Sequence, residues 1–255
     1  MIRLKRPPKP EQLTDITQLK LTEKYINNTS LTVWNQPFIR ETLLNGTQHK
    51  CCYCEKQIGL GFPDMHIDHY RPKSLYPDLV VEWDNLMPCC GDCNRSKSNH
   101  DTVKMPIVNP FIDEPKNYFF LKDFRYKAID NRYDSVANTT INILGLNDLD
   151  KKCKNRYIIV TKILDDLNAL LNNAQRNKDV LKTDIALSNS IKRRLCGILR
   201  LCTPEAEYSA FVATAVLHDV DYRDLKELLV TAGCWSDELQ KLETNAMPCV
   251  YRTVR

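Results

Sequence analysis

Apolar residues recur at helical spacing near the start of the chain. Leu13, Ile16, Leu19 and Tyr25 fall near one stripe, which predicts an amphipathic helix over residues 11–27. Trp34, Phe38, Leu43 and Leu44 predict a second, shorter helix. Ahead of both, Pro7, Pro8 and Pro10 punctuate a basic stretch and predict an extended tail. The period is lost over residues 50–105, a stretch rich in Cys, His, Asp, Asn and Pro. Short aromatic runs such as Tyr118-Phe119-Phe120-Leu121 predict short strands or irregular chain over 106–134. Helical spacing then returns: Tyr157, Val160, Leu164, Leu167 and Leu171 form one core-facing stripe, and Ile185, Ile191, Leu195 and Ile198 another. Thr203-Pro204 reads as an N-cap followed by proline at the first helical position, with Phe211, Val212, Val216 and Leu217 in the helix it opens. A last helix over 221–232 is closed by Gly233. The fold class is therefore α+β, mainly α. Its expected parts are an N-terminal tail with helices (1–49), a compact site module (50–105), a connecting irregular segment (106–147) and a C-terminal helical domain (148–255).

Composition narrows the setting. Hydrophobic residues at 43% and charged residues at 27% fit a globular protein. No apolar run approaches the length of a membrane span, and the opening MIRLKRPPKPEQL has no apolar core of a signal peptide. A cytoplasmic protein with no membrane contact is expected. Residues 151–200 hold 12 Lys/Arg against 4 Asp/Glu. The cluster Lys151, Lys152, Lys154, Arg156, Lys192, Arg193 and Arg194 can meet phosphates, but charge alone favours a solvated helix face. Eleven cysteines cannot all pair internally, and disulfides are rare in a reducing compartment. Cys153, Cys196, Cys202, Cys234 and Cys249 are scattered and read as small apolar side chains. Six others form two tight groups.

Those groups, Cys51-Cys52-Tyr53-Cys54 and Cys89-Cys90-Gly91-Asp92-Cys93, each contain a C-x-x-C. A two-residue spacer lets one turn aim two thiolates at a single ion, and two such turns complete the tetrahedral sulfur set of a structural zinc. Cys51, Cys54, Cys90 and Cys93 are the expected ligands, with Cys52 and Cys89 as adjacent alternatives. Such an ion replaces a core that so short a segment cannot build alone.

Between the pairs lies His66-Ile67-Asp68-His69, then Asn85, then Asn94 directly after Cys93, and Lys97. Phosphodiester hydrolysis needs a base that works near neutral pH, which imidazole supplies. It also needs a divalent ion to neutralise the phosphate, and Asp68 and Asn94 offer the hard oxygen donors that Mg2+ or Mn2+ prefers. Lys97 is expected to face the same phosphate. Strand alternation raises one difficulty: His66 and Asp68 share a face while His69 points away, unless the strand ends there. In a regular strand His66 and Asp68 form the metal pair instead.

The string Cys51–Cys54, HIDHYRPKS at 66–74 and WDNLMPCCGDCNRSKS at 83–98 resembles the HNH endonucleases of the zinc-bearing ββα-metal type. The likeness implies His69 as general base, Asp68 and Asn94 as ligands of the catalytic divalent metal, Asn85 as the amide that braces the loop, and His66 as support for metal or phosphate. Asn94 stands where many relatives carry a third histidine. IRLKRPPKPEQL, NPFIDEP at 109–115 and TINILGLN at 140–147 resemble the PtuB-like HNH component of Septu anti-phage systems, including retron-associated forms. That resemblance implies a toxic effector with a PtuA-like ATPase partner and, in retron forms, a reverse transcriptase with its RNA/DNA product. DNA is the favoured nucleic-acid substrate, with tRNA or other RNA as the alternative. The competing reading is a zinc-supported module that binds nucleic acid or docks on the ATPase without cutting.

Overall fold

A computed structural model describes residues 1–59 and 64–253. Two compact units emerge. The first contains Met1–Phe119 and Arg125–Asp148; the second contains Phe120–Phe124 and the chain from Leu149 onward. The fold is α+β and mainly helical, with two two-stranded sheets among the described residues.

In the first unit, α1 (Asp15–Asn27) is capped by Thr14, whose side chain accepts from the Thr17 amide, and α2 (Pro37–Gly46) starts on a proline. Strand β1 (Met65–His69) pairs antiparallel with β2 (Leu86–Cys90), with His66 opposite Cys89 and His69 opposite Leu86. Helix α3 (Gly91–Lys97) follows β2 without a break, completing a ββα unit. The sheet of β3 (Phe119–Lys122) and β4 (Arg125–Ala128) and helix α4 (Val136–Ile143) come later.

The proline-rich tail is extended, as its composition predicts, but it is strapped down rather than loose. Arg6 donates to the carbonyls of Leu86 (2.6 Å) and Asp84 (3.1 Å) and lies 3.8 Å over the Phe111 ring, while Trp83 Nε1 donates to Pro7 O at 2.9 Å. On α1 the expected stripe is only half right. Leu13 and Tyr25 are buried, but Ile16 and Leu19 are 67% and 62% exposed. The helix starts at Asp15, so Leu13 packs from the turn ahead of it and does not set the face of the helix.

The second unit is built on α5 (Lys154–Arg176), which packs against α6 (Ile185–Arg200), α7 (Ser209–His218) and α8 (Val220–Thr231), while α6 also holds α9 (Asp237–Ala246). Val160, Leu167 and Leu171 are buried on α5 as the spacing requires. Two expectations fail here. Thr203-Pro204 opens no helix: the Thr203 hydroxyl turns back to donate to Arg200 O, and α7 begins at Ser209 after Tyr208 takes a left-handed backbone (φ 52°). Nor is the basic stretch uniformly solvated. Arg156 is fully buried, with Nη1 donating to Phe124 O at 3.2 Å and the guanidinium 4.2 Å over the Phe211 ring, and Lys152 is buried too. Helix α9 carries few apolar residues and escapes a periodicity reading. Its signal is local: Ser236 caps Leu239, and Asp237 and Glu238 occupy the first turn.

Gly233 terminates α8 at φ +67°, where a Cβ is strained, whereas Gly197 lies within α6 with open space around it. Gly233→Ala is therefore expected to destabilise by about 1 kcal/mol and Gly197→Ala to stabilise by about 0.5–1 kcal/mol. Denaturation midpoints on opposite sides of the parent's check both.

Candidate active site

Four thiols define the foundation of the site. The sulfurs of Cys51, Cys54, Cys90 and Cys93 all lie within 4.8 Å of one another, and all four residues are buried. Cys54 Sγ and Cys90 Sγ are 3.7 Å apart. A tetrahedral zinc with bonds of about 2.3 Å sets its sulfurs roughly 3.8 Å apart, so the cluster has the dimensions and donor chemistry of a closed structural zinc site. Cys90 also receives the Cys93 amide at the start of α3. Cys52 and Cys89 stand outside this cluster. Strand alternation explains Cys89, which points to the opposite face from Cys90.

The two cysteine turns also deliver side chains to Asp68. From the first, Tyr53, fully buried, donates its hydroxyl to Asp68 Oδ2 at 2.7 Å. From the helix begun by the second, Lys97 donates to Asp68 Oδ1 at 3.0 Å and to His69 O at 2.7 Å. Burial pushes the Asp68 carboxyl above its usual range, while Lys97 and the Tyr53 hydroxyl pull the other way. Each carboxylate oxygen has one protein donor and keeps a lone pair. Lys97 thus departs from its expected place: its ammonium is sequestered beneath Asp68 and does not line the cleft. Spacing along a short helix could not tell the inward direction from the outward one. Tyr53 went unnoticed because a residue between two ligands reads as mere spacer. Its one signal is a buried hydroxyl in a turn that needs none.

Strand β1 ends at His69, which resolves the alternation problem. His66, Asp68 and His69 line one cleft of about 380 Å³ together with Asn94, and Trp34, Arg40 and Lys73 also form its walls. His69 Nε2 lies 2.8 Å from Val80 O and donates to it, which leaves Nδ1 as the acceptor. The Trp34 indole meets the imidazole edge-on at 4.8 Å. Burial foremost, with Lys73 and Lys97 adding to it, lowers the His69 pKa to about 4, so the ring is an uncharged base at neutral pH. Asn94 sits on α3 one residue after Cys93, and its side-chain amide makes no hydrogen bond to a described residue. His66 is half-exposed, 3.7 Å from Asp64 Oδ1. The Asp64 carboxylate caps the Gly91 amide so closely that a Cβ on Gly91 would stand 2.5 Å from it.

Asn85 lies outside the cleft and holds its floor. Its Oδ1 accepts from the Arg71 amide at 2.7 Å, and Nδ2 donates to Arg71 O and Leu79 O at 3.1 and 3.0 Å. These bonds close the loop that carries Val80, the partner of His69.

A ββα unit stapled by four cysteines, with His, Asp and Asn converging on one cleft, is the architecture of an HNH endonuclease. The HNH endonuclease family model matches residues 51–100, which include every one of these residues. The chain is 36% identical to Septu protein PtuB of Bacillus thuringiensis over 250 residues, covering 96% of this chain and 93% of that one, and it belongs to the PtuB family. It is also 31% identical over 104 residues to Septu protein PtuB of Bacillus mycoides, covering 29% of this chain and 35% of that one. Protein ea31 of Escherichia phage lambda is 33% identical over 118 residues, covering 44% of this chain and 37% of that one. Among the described residues no helix is long and apolar enough to cross a membrane.

Cys90→Ser is expected to lower zinc content and thermal stability together, whereas Cys89→Ser keeps the zinc. Elemental analysis of the two purified variants separates them. Tyr53→Phe leaves zinc content unchanged but removes a donor from a buried carboxylate, costing about 1–3 kcal/mol in denaturant unfolding.

Proposed function

We propose that the endonuclease hydrolyses phosphodiester bonds of nucleic acid with His69 as general base, as the toxic effector of a cytoplasmic anti-phage defence system. The observation that carries this reading is the bond from His69 Nε2 to Val80 O. It fixes the tautomer that keeps a lone pair on Nδ1 in a cleft also lined by Asp68 and Asn94. Nδ1 takes the proton of the attacking water, and the growing positive charge on the ring is met by the Val80 carbonyl. Asp68 and Asn94 offer oxygen donors suited to Mg2+ or Mn2+, a hard ion that neutralises charge on the scissile phosphate and the departing oxygen. Tyr53 and Lys97 hold the Asp68 carboxylate in one orientation. Asn85 holds the loop that orients His69. His66, more exposed, is a support for the phosphate.

The family relationship supports a PtuA-like ATPase as the partner that restrains and releases the nuclease. In a retron setting a reverse transcriptase and its RNA/DNA product join that partner. DNA is the favoured substrate and tRNA the alternative, because the chemistry of the site acts on the phosphodiester and needs no 2′-OH.

His69→Ala is expected to cut cleavage of plasmid or tRNA in Mg2+ or Mn2+ by about 10²-fold or more, the scale of a lost general base. Zinc content and melting temperature stay at parental values. Undiminished cutting by the variant refutes the assignment.

A further inference from the structure

The residue that sequence spacing aimed at the phosphate, Lys97, is spent on Asp68 and His69 O. The cleft therefore needs other cations if it is to hold a polyanion. Two line it, and neither belongs to the catalytic constellation: Arg40 from α2 and Lys73 from the loop after β1.

Their surroundings separate them from ordinary surface charges. Arg40 is half-buried and fixed by neutral oxygens only. Nη1 donates to Asn35 Oδ1 at 3.0 Å and, with Nη2, to Met65 O at 3.4 Å. Lys73 Nζ lies 5.0 Å over the Trp34 ring, which itself packs on His69. Among the described residues no carboxylate stands within ion-pair distance of either. The acid in the cleft wall, Asp68, is already matched by Lys97, and Asp64 outside it is shared among Lys56, the Gly91 amide and His66. The cleft thus keeps two uncompensated positive charges. One touches the first residue of β1. The other lies over the indole that packs against its last residue.

We infer that Arg40 and Lys73 form a phosphate-binding subsite that seats the nucleic-acid backbone on either side of the scissile bond. This rests on the nuclease reading and deepens it. Arg40 presents a planar fork already oriented by Asn35 and Met65, so little order is lost when a phosphate oxygen binds. Lys73 acts as a point charge held near His69 by the indole face. The ligand is the sugar-phosphate chain itself, common to DNA and RNA. Trp34, Asn35 and Arg40 all lie upstream of the cysteine-framed segment, so substrate binding draws on the N-terminal segment while the chemistry stays within residues 51–100.

The test measures binding and turnover separately on the full chain. In a His69→Ala background, a labelled DNA duplex, its single strand and a tRNA are titrated at several salt concentrations, with and without Arg40→Gln and Lys73→Gln. The pair of changes should weaken binding about tenfold or more and flatten the slope of log K against log salt by about 1–2, the number of phosphates released. With His69 intact, the same pair should raise KM while kcat stays within about threefold of the parent. Lys73→Gln alone changes a half-exposed side chain and should show about half of the slope change, which keeps the test open if the Arg40 variant folds poorly. Unchanged affinity and unchanged slope in both variants, alongside a parent that cuts, overturn the subsite and leave the nuclease reading intact. A parent that neither binds nor cuts any of the three probes overturns both. The probe with the steeper parental slope names the backbone that the subsite serves.

Discussion

The structure depends on four buried sulfurs converging on one point. Thiols so close together and so far from water are a poor arrangement for a protein without an ion, and a good one with zinc among them. The ion ties the turn before β1 to the turn between β2 and α3, segments that otherwise share only a five-residue strand pair. The remaining parts of the site follow from where those turns end. One presents Tyr53 and the other leads to Asn94 and Lys97 on the same short helix. Asp68 lies between them, held by a donor from each side.

A small module built this way carries its catalytic groups on rigid supports with little hydrophobic core behind them. His69 is set by three features: the end of β1, the Val80 carbonyl and the Trp34 edge. The carbonyl is set in turn by Asn85, which closes its loop through three hydrogen bonds. Removing water from the ring keeps it neutral. Removing water from Asp68 would neutralise that too, were it not for the ammonium placed beneath it. Burial pushes the two neighbours toward opposite ends of the pH scale, and the buried lysine keeps the acid ionisable.

Much of this was legible in the sequence, and the limits have physical causes. The C-x-x-C pairs and the H-x-D-H segment were legible because ligand spacing is a local property of turns. Choosing Cys51 and Cys54 with Cys90 and Cys93, over Cys52 and Cys89, needed the strand register. Lys97 was found as a functional residue but assigned the wrong direction, since a helix of two turns buried on one side has no repeat long enough to reveal its face. Tyr53, Arg40 and Trp34 were invisible as site residues because tertiary packing, not spacing, brings them to the cleft. In the helical unit, the stripe on α5 was read correctly, whereas α9 was missed for want of apolar residues and α7 was started too early because Thr203 bonds backward.

The edge-on contact between Trp34 and His69 gives the molecule a built-in optical gauge. An indole in van der Waals contact with an imidazole changes its light emission when that ring gains charge or when the cleft beside it fills. The chain has three tryptophans, so replacing Trp83 and Trp235 with phenylalanine would leave a single fluorophore at the reaction centre. Its glow would then report, in real time and without any label, each arrival and departure at the imidazole.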